Sequence, residues 1–82
     1  MAPARVRLLT RVGCHLCEDA ERIVERTCSA LGATYEMVDV DTDPALRAEY
    51  SDHVPVLMVD GAVRSRWFVD EAALLTWLEE KS

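Results

Sequence analysis

Two cysteines, in the run Cys14-His15-Leu16-Cys17, stand at the point where the hydrophobic pattern of this chain changes its period. Before them, Arg5-Val6-Arg7-Leu8-Leu9-Thr10 reads as a strand and Arg11-Val12-Gly13 as the loop that leaves it. After them, Leu16, Ala20, Ile23, Val24, Thr27, Cys28 and Leu31 recur at helical spacing. The segment is therefore strand, loop, helix, with Cys14 at the mouth of the helix. Unpaired backbone N–H groups and the macrodipole favour an anion there, so a thiolate is stabilised. Cys17 lies one turn further on, within reach of the Cys14 sulfur. That is the geometry of a redox dithiol.

The rest of the chain supplies the elements such a unit must pack against. Gly32 is the expected left-handed cap of the first helix. Residues 33–38 alternate, with Tyr35 and Met37 on one face and Thr34, Glu36 and Val38 on the other, as in a strand near an edge. Asp43 and Pro44 form the N-cap and first position of a short helix that carries Leu46 and Tyr50. Val54-Pro55-Val56-Leu57-Met58-Val59 is the most apolar run, as expected of a strand covered on both faces, with the proline at its start. Asp60-Gly61 marks a two-residue hairpin into a last strand over residues 62–66. Asp70 caps a final helix with Leu74, Leu75 and Leu78 turned inward and Trp77 beside them. The order is β-α-β-α-β-β-α. Its first unit is a right-handed parallel crossover, and the fold class is an α/β four-stranded mixed sheet with helices on both faces.

Length and charge restrict what this unit can do. The 82 residues make a single domain, 1–82. A chain of this size buries about 60–65% of its unfolded surface, so its core is modest. The formal net charge of -6 argues against binding nucleic acid or an anionic membrane. No apolar run approaches the roughly 18 residues of a membrane span. Met1-Ala2-Pro3-Ala4-Arg5 lacks the plan of a signal peptide, which places the protein in the cytoplasm, where it is expected to be a monomer. Three cysteines cannot close a disulfide framework, and in a reducing compartment they are catalytic or metal-binding.

With Cys14-x-x-Cys17 after the first strand and Val54-Pro55 opening the third, the chain resembles a glutaredoxin of the thioredoxin-like fold over nearly its whole length. The resemblance implies a cis Val54-Pro55 bond lying against the dithiol. It also implies a substrate-binding set. Arg11 matches the basic residue near the glutathione carboxylate, and Val54 the residue whose backbone pairs with the substrate peptide. Asp70 matches the acidic position that takes the glutathione amino group. His53-Val54-Pro55 stands where glutaredoxins have Thr-Val-Pro, and Cys-His-Leu-Cys where they have Cys-Pro-Tyr-Cys. Glutaredoxins carry a Gly-Gly pair before the acidic residue, where this chain has the bulky Arg66-Trp67-Phe68-Val69.

The chemistry expected is thiol–disulfide exchange, with Cys14 attacking and Cys17 resolving. No resident cofactor is expected, and glutathione or another low-molecular-weight thiol is a candidate reductant. The partners are a disulfide-containing protein or a small thiol substrate, and a reductase or thiol as electron donor. His15 and Arg11 add positive charge beside Cys14, and Glu18 and Asp19 oppose it. The alternative is a non-catalytic module that binds zinc, an iron–sulfur cluster or a partner through the same cysteines. Against zinc, a structural site needs four ligands, and Cys28 falls on the apolar stripe of the helix as a core filler. Asp39, Asp41 and Asp43 fail as a calcium loop, because Pro44 stands where glycine is required and Tyr50 where glutamate is. Trp67 and Phe68 are read as packing residues or, if exposed beside the dithiol, as an apolar docking face for a protein.

Overall fold

The computed structural model describes residues 4–80, so the first three residues of the stretch read for a leader lie outside it. The elements are β1 (Val6–Thr10), α1 (His15–Leu31), β2 (Tyr35–Asp39), a 3-10 turn (Val40–Thr42), α2 (Pro44–Tyr50), β3 (Val56–Val59), β4 (Ala62–Arg66) and α3 (Glu71–Glu79). The sheet runs β2-β1-β3-β4. β1 and β2 are parallel, while β3 is antiparallel to both β1 and β4. This is the thioredoxin-like arrangement, with β2 at one edge.

Each boundary has a local cause. Gly32 takes φ 67° and its N–H reaches the Cys28 and Ser29 carbonyls, closing α1. Asp43 accepts from the Ala45 and Leu46 N–H groups to start α2, and Asp70 from those of Ala72 and Ala73 to start α3. Asp60 and Gly61 both take positive φ, 51° and 85°, and so make the tight turn that pairs Val59 with Ala62. β3 begins at Val56 and not at Val54, because the ladder cannot use Pro55, which has no N–H. Between Leu57 and Met58 the register with β4 slips, leaving Arg64 as the extra residue; its guanidinium lies over the Trp77 ring at 5.8 Å.

The sheet is covered on both faces, so neighbours Leu8 and Leu9 are both buried. On one side Val6, Leu8, Leu57 and Val59 meet Ala20, Val24 and Cys28 of α1 and Leu74 and Leu78 of α3. On the other, Leu9, Val40 and Val56 are covered by the half-buried Leu46 and Tyr50 of α2. Two expectations shift by one position. Leu16 is 55% exposed, because Cys17 takes the inward place at the start of α1. Leu75 is half-buried beside the buried Leu74 and Leu78. No helix among the described residues is long and apolar enough to cross a membrane.

Candidate active site

Four segments arrive at one end of the sheet because of its strand directions. Thr10 ends β1 opposite Asp39, which ends the parallel β2. Val56, the first residue of the antiparallel β3, faces Leu9 on one side and Arg66, the last of β4, on the other. The loop to Cys14, the 3-10 turn, the Val54-Pro55 pair and Trp67 therefore share this end.

Arg11-Val12-Gly13-Cys14 is a tight turn, closed by the Cys14 N–H donating to the Arg11 carbonyl at 3.3 Å, with Gly13 at φ 82°. Cys14 is the N-cap of α1. Its sulfur accepts from the Cys17 N–H at 3.2 Å, the place usually filled by a serine or aspartate oxygen. Cys14 is half-buried and Cys17 is 2% exposed; all three cysteines are thiols. Burial, followed by the hydrogen bond its thiol shares with the Cys14 sulfur, pushes Cys17 up to about 12, with the Arg11 backbone acting in the opposite direction. The two sulfurs are thus unequal. The outer one caps a helix and the inner one holds its proton.

Arg11 does not stand alone in solvent. Its Nε is 3.2 Å from Oδ2 of Asp41, which the 3-10 turn holds in place through the Asp41 N–H donating to Asp39 Oδ1. His15 is 96% exposed, with Nδ1 3.7 Å from Glu18 Oε2. Val54-Pro55 is cis, as the resemblance implied. Pro55 is buried, and no backbone group among the described residues bonds to the Val54 amide N–H or carbonyl. Asp70 is exposed, and its Oδ1 takes both capping bonds of α3, at 2.9 and 3.4 Å.

Trp67 and Phe68 are 53% and 63% exposed, which corrects their reading as packing residues. Trp67 takes φ 72°, a strained backbone for a bulky side chain. Its N–H reaches both the Pro55 carbonyl at 2.8 Å and the His53 carbonyl at 3.1 Å, and its indole Nε1 donates to the Asp52 carbonyl at 3.1 Å. His53 meets the indole edge-on, with ring centroids 5.6 Å apart. The tryptophan is thereby tied to the Val54-Pro55 segment while one side of its ring stays in water. A shallow hollow lined by Arg22, Glu25, Arg26 and Ser29 shares no residue with this end of the sheet. Among the described residues, no three His, Cys, Asp or Glu side chains converge as metal ligands.

The sequence profile described as glutaredoxin-like domain (DUF836) matches residues 5–79. The chain belongs to this glutaredoxin-like family. An uncharacterised protein of Mycobacterium tuberculosis is 39% identical to this glutaredoxin-like protein over 79 residues, covering 90% of this chain and 81% of the relative. Among solved structures, protein XcR50 from X. campestris is 30% identical, with a TM-score of 0.73 over 92% of this chain and 96% of that one. Glutaredoxin C1 from Populus tremula x tremuloides, 19% identical at a TM-score of 0.57, covers 96% of this chain and 87% of its own, and shows likeness of fold alone.

Sequence reasoning overlooked two features of this glutaredoxin-like protein. In the sequence, Asp41 stands out only as part of a failed calcium loop. The signal that finds it is the parallel pairing of β1 and β2, which brings whatever follows Thr10 beside whatever follows Asp39. The left-handed backbone of Trp67 has no such signal, since nothing in a Trp-Phe pair announces positive φ.

Proposed function

We propose that the protein is a thiol–disulfide oxidoreductase of a reducing compartment, the cytoplasm, acting on protein disulfides. The observation that carries the reading is the asymmetric pair: a half-buried Cys14 capping α1, with a buried, proton-holding Cys17 one turn behind it. The Cys14 thiolate attacks one sulfur of the substrate disulfide. The substrate S–S bond breaks, one substrate thiolate leaves and takes up a proton, and a mixed disulfide forms on Cys14. Cys17 then gives up its proton and attacks the Cys14 sulfur. The second substrate thiol leaves, and a Cys14–Cys17 disulfide remains. Two electrons from a low-molecular-weight thiol or a reductase restore the dithiol.

Two features support a protein substrate over glutathione. The unbonded Val54 amide suits an extended peptide, which pairs through its own backbone and needs no tripeptide pocket. Trp67 and Phe68 place apolar surface where glutathione-binding relatives have glycines. The test is steady-state reduction of a protein disulfide and of a glutathione mixed disulfide by one preparation, with its metal content measured. Turnover of the protein disulfide is expected, abolished by Cys14→Ser and replaced by a trapped mixed disulfide in Cys17→Ser. Efficient turnover of the glutathione adduct alone would refute the substrate reading, and a zinc- or iron-loaded protein without turnover would refute the enzyme.

A further inference from the structure

The backbone of Arg11 is part of the dithiol loop, since its carbonyl closes the turn onto the Cys14 N–H. A guanidinium on that turn would ordinarily draw in anions approaching Cys14. Here it is met by an internal carboxylate, Asp41 Oδ2 at 3.2 Å from Nε. The turn that carries Asp41 is itself bonded: the Asp41 N–H donates to Asp39 Oδ1 at 2.9 Å, and the Thr42 hydroxyl donates to the Asp39 carbonyl at 2.7 Å. The pair joins the loop after β1 to the turn after β2, so the sheet itself sets its separation. An anionic substrate must displace Asp41 or meet an Arg11 already neutralised. The other charged groups on these segments are Asp39, whose carboxylate accepts from the Asp41 N–H, and Glu18 and Asp19 at the start of α1, paired with His15 and Arg22.

We propose that Asp41 is a positioning residue for charge selection: by holding the Arg11 guanidinium it denies that cation to anions, so Cys14 reacts preferentially with disulfides that carry no negative charge beside their sulfurs. This rests on the oxidoreductase reading for its biological meaning, and its first test does not depend on turnover. Iodoacetate and iodoacetamide both alkylate a thiolate by displacing iodide, and they differ chiefly in charge. Their rate ratio at Cys14, resolved by peptide mass mapping, measures how the site treats an anion.

The variants are Asp41→Asn, Asp41→Glu, Arg11→Gln and the Asp41→Asn/Arg11→Gln pair, measured at low and high salt. Exposed pairs are weak, so Asp41→Asn should raise the iodoacetate-to-iodoacetamide ratio by about two- to fivefold at low salt. Asp41→Glu should restore the wild-type ratio, as loss of a merely structural residue would not. The gain should be absent in the Arg11→Gln background and should shrink at high salt. An unchanged ratio in Asp41→Asn overturns the proposal, and so does an equal rise with Arg11 already removed. The same variants then reduce dithiodiglycolate, an anionic disulfide, and bis(2-hydroxyethyl) disulfide, a neutral one. The anionic-to-neutral rate ratio should follow the alkylation ratio. Failure to reduce either disulfide would sink the oxidoreductase reading, and the alkylation ratios would still decide this one.

Discussion

A buried thiol one turn behind an accessible one gives the inner sulfur its own dependence on pH. Folding raises Cys17 from an ordinary value of 9.0 to about 12, chiefly by burial, and burial also pushes the Cys28 thiol up. Both groups keep their protons more tightly when folded, and the Cys17 contribution is fully present below pH 9.0 and is lost as pH climbs toward about 12. The urea midpoint should therefore fall across that alkaline window. The fall should be shallower in Cys17→Ala; an identical slope in that variant would show that Cys17 does not titrate as stated. At neutral pH the same burial should make Cys14 the faster site for iodoacetamide, and faster labelling of Cys17 would contradict the assignment of roles. Trp67 belongs to this scale too. Trp67→Ala should lower kcat/KM for a protein disulfide more than for bis(2-hydroxyethyl) disulfide, since only the former is large enough to cover the indole.

At the scale of the element, α1 and α3 each begin on a capping residue that the family resemblance also draws into the candidate site, Cys14 and Asp70. Cys14 caps α1 through sulfur, and losing an N-cap costs about 0.5–2 kcal/mol. Cys14→Ser replaces sulfur by a better capping oxygen, whereas Cys14→Ala removes the cap. Both should be inactive, but only Cys14→Ala should be destabilised, by about 1 kcal/mol in urea unfolding. Equal stabilities would mean that the Cys17 N–H to Cys14 Sγ contact does not hold the helix. Asp70 can be separated in the same way. Asn is as good a cap as Asp, so Asp70→Asn keeps α3 intact while removing the charge. If Asp70 takes a substrate amino group, Asp70→Asn should lose turnover at unchanged stability. If it serves only α3, Asp70→Ala should lose stability and Asp70→Asn should lose neither.

For the whole molecule, the two cores on either side of the sheet are of unequal depth. Among the described residues, the apolar cluster on the α1–α3 side has ten buried members and that on the α2 side three, so packing on the first governs global stability. Leu8→Ala or Leu57→Ala should cost about 2–5 kcal/mol, a large share of a small domain's total. Leu46→Ala on the thinner side should cost clearly less, because Leu46 is already half in water. A larger loss for Leu46 than for Leu8 would invert this picture. The division also has a functional side. The loop to Cys14 leaves β1, and β1 is paired on both edges, so the deep core holds the dithiol's base in place.

Local chemistry by itself determined most of the elements. The change of period at Cys14 marked the strand–helix junction. Gly32, Asp43-Pro44 and Asp70 marked their caps, and Asp60-Gly61 marked the hairpin, because capping and turn geometry depend on neighbouring residues only. The inequality of Cys14 and Cys17 was likewise visible, since one turn of helix separates an N-cap from an inward face. Tertiary structure alone decided the contacts between segments distant in sequence. Arg11 finds Asp41 because β1 and β2 run parallel, and Trp67 is held outward because its backbone bonds back to Pro55 and His53 across the end of the sheet. Side-chain type says whether a residue can pair or bury; which partner it meets depends on strand order and register, and these are properties of the assembled sheet.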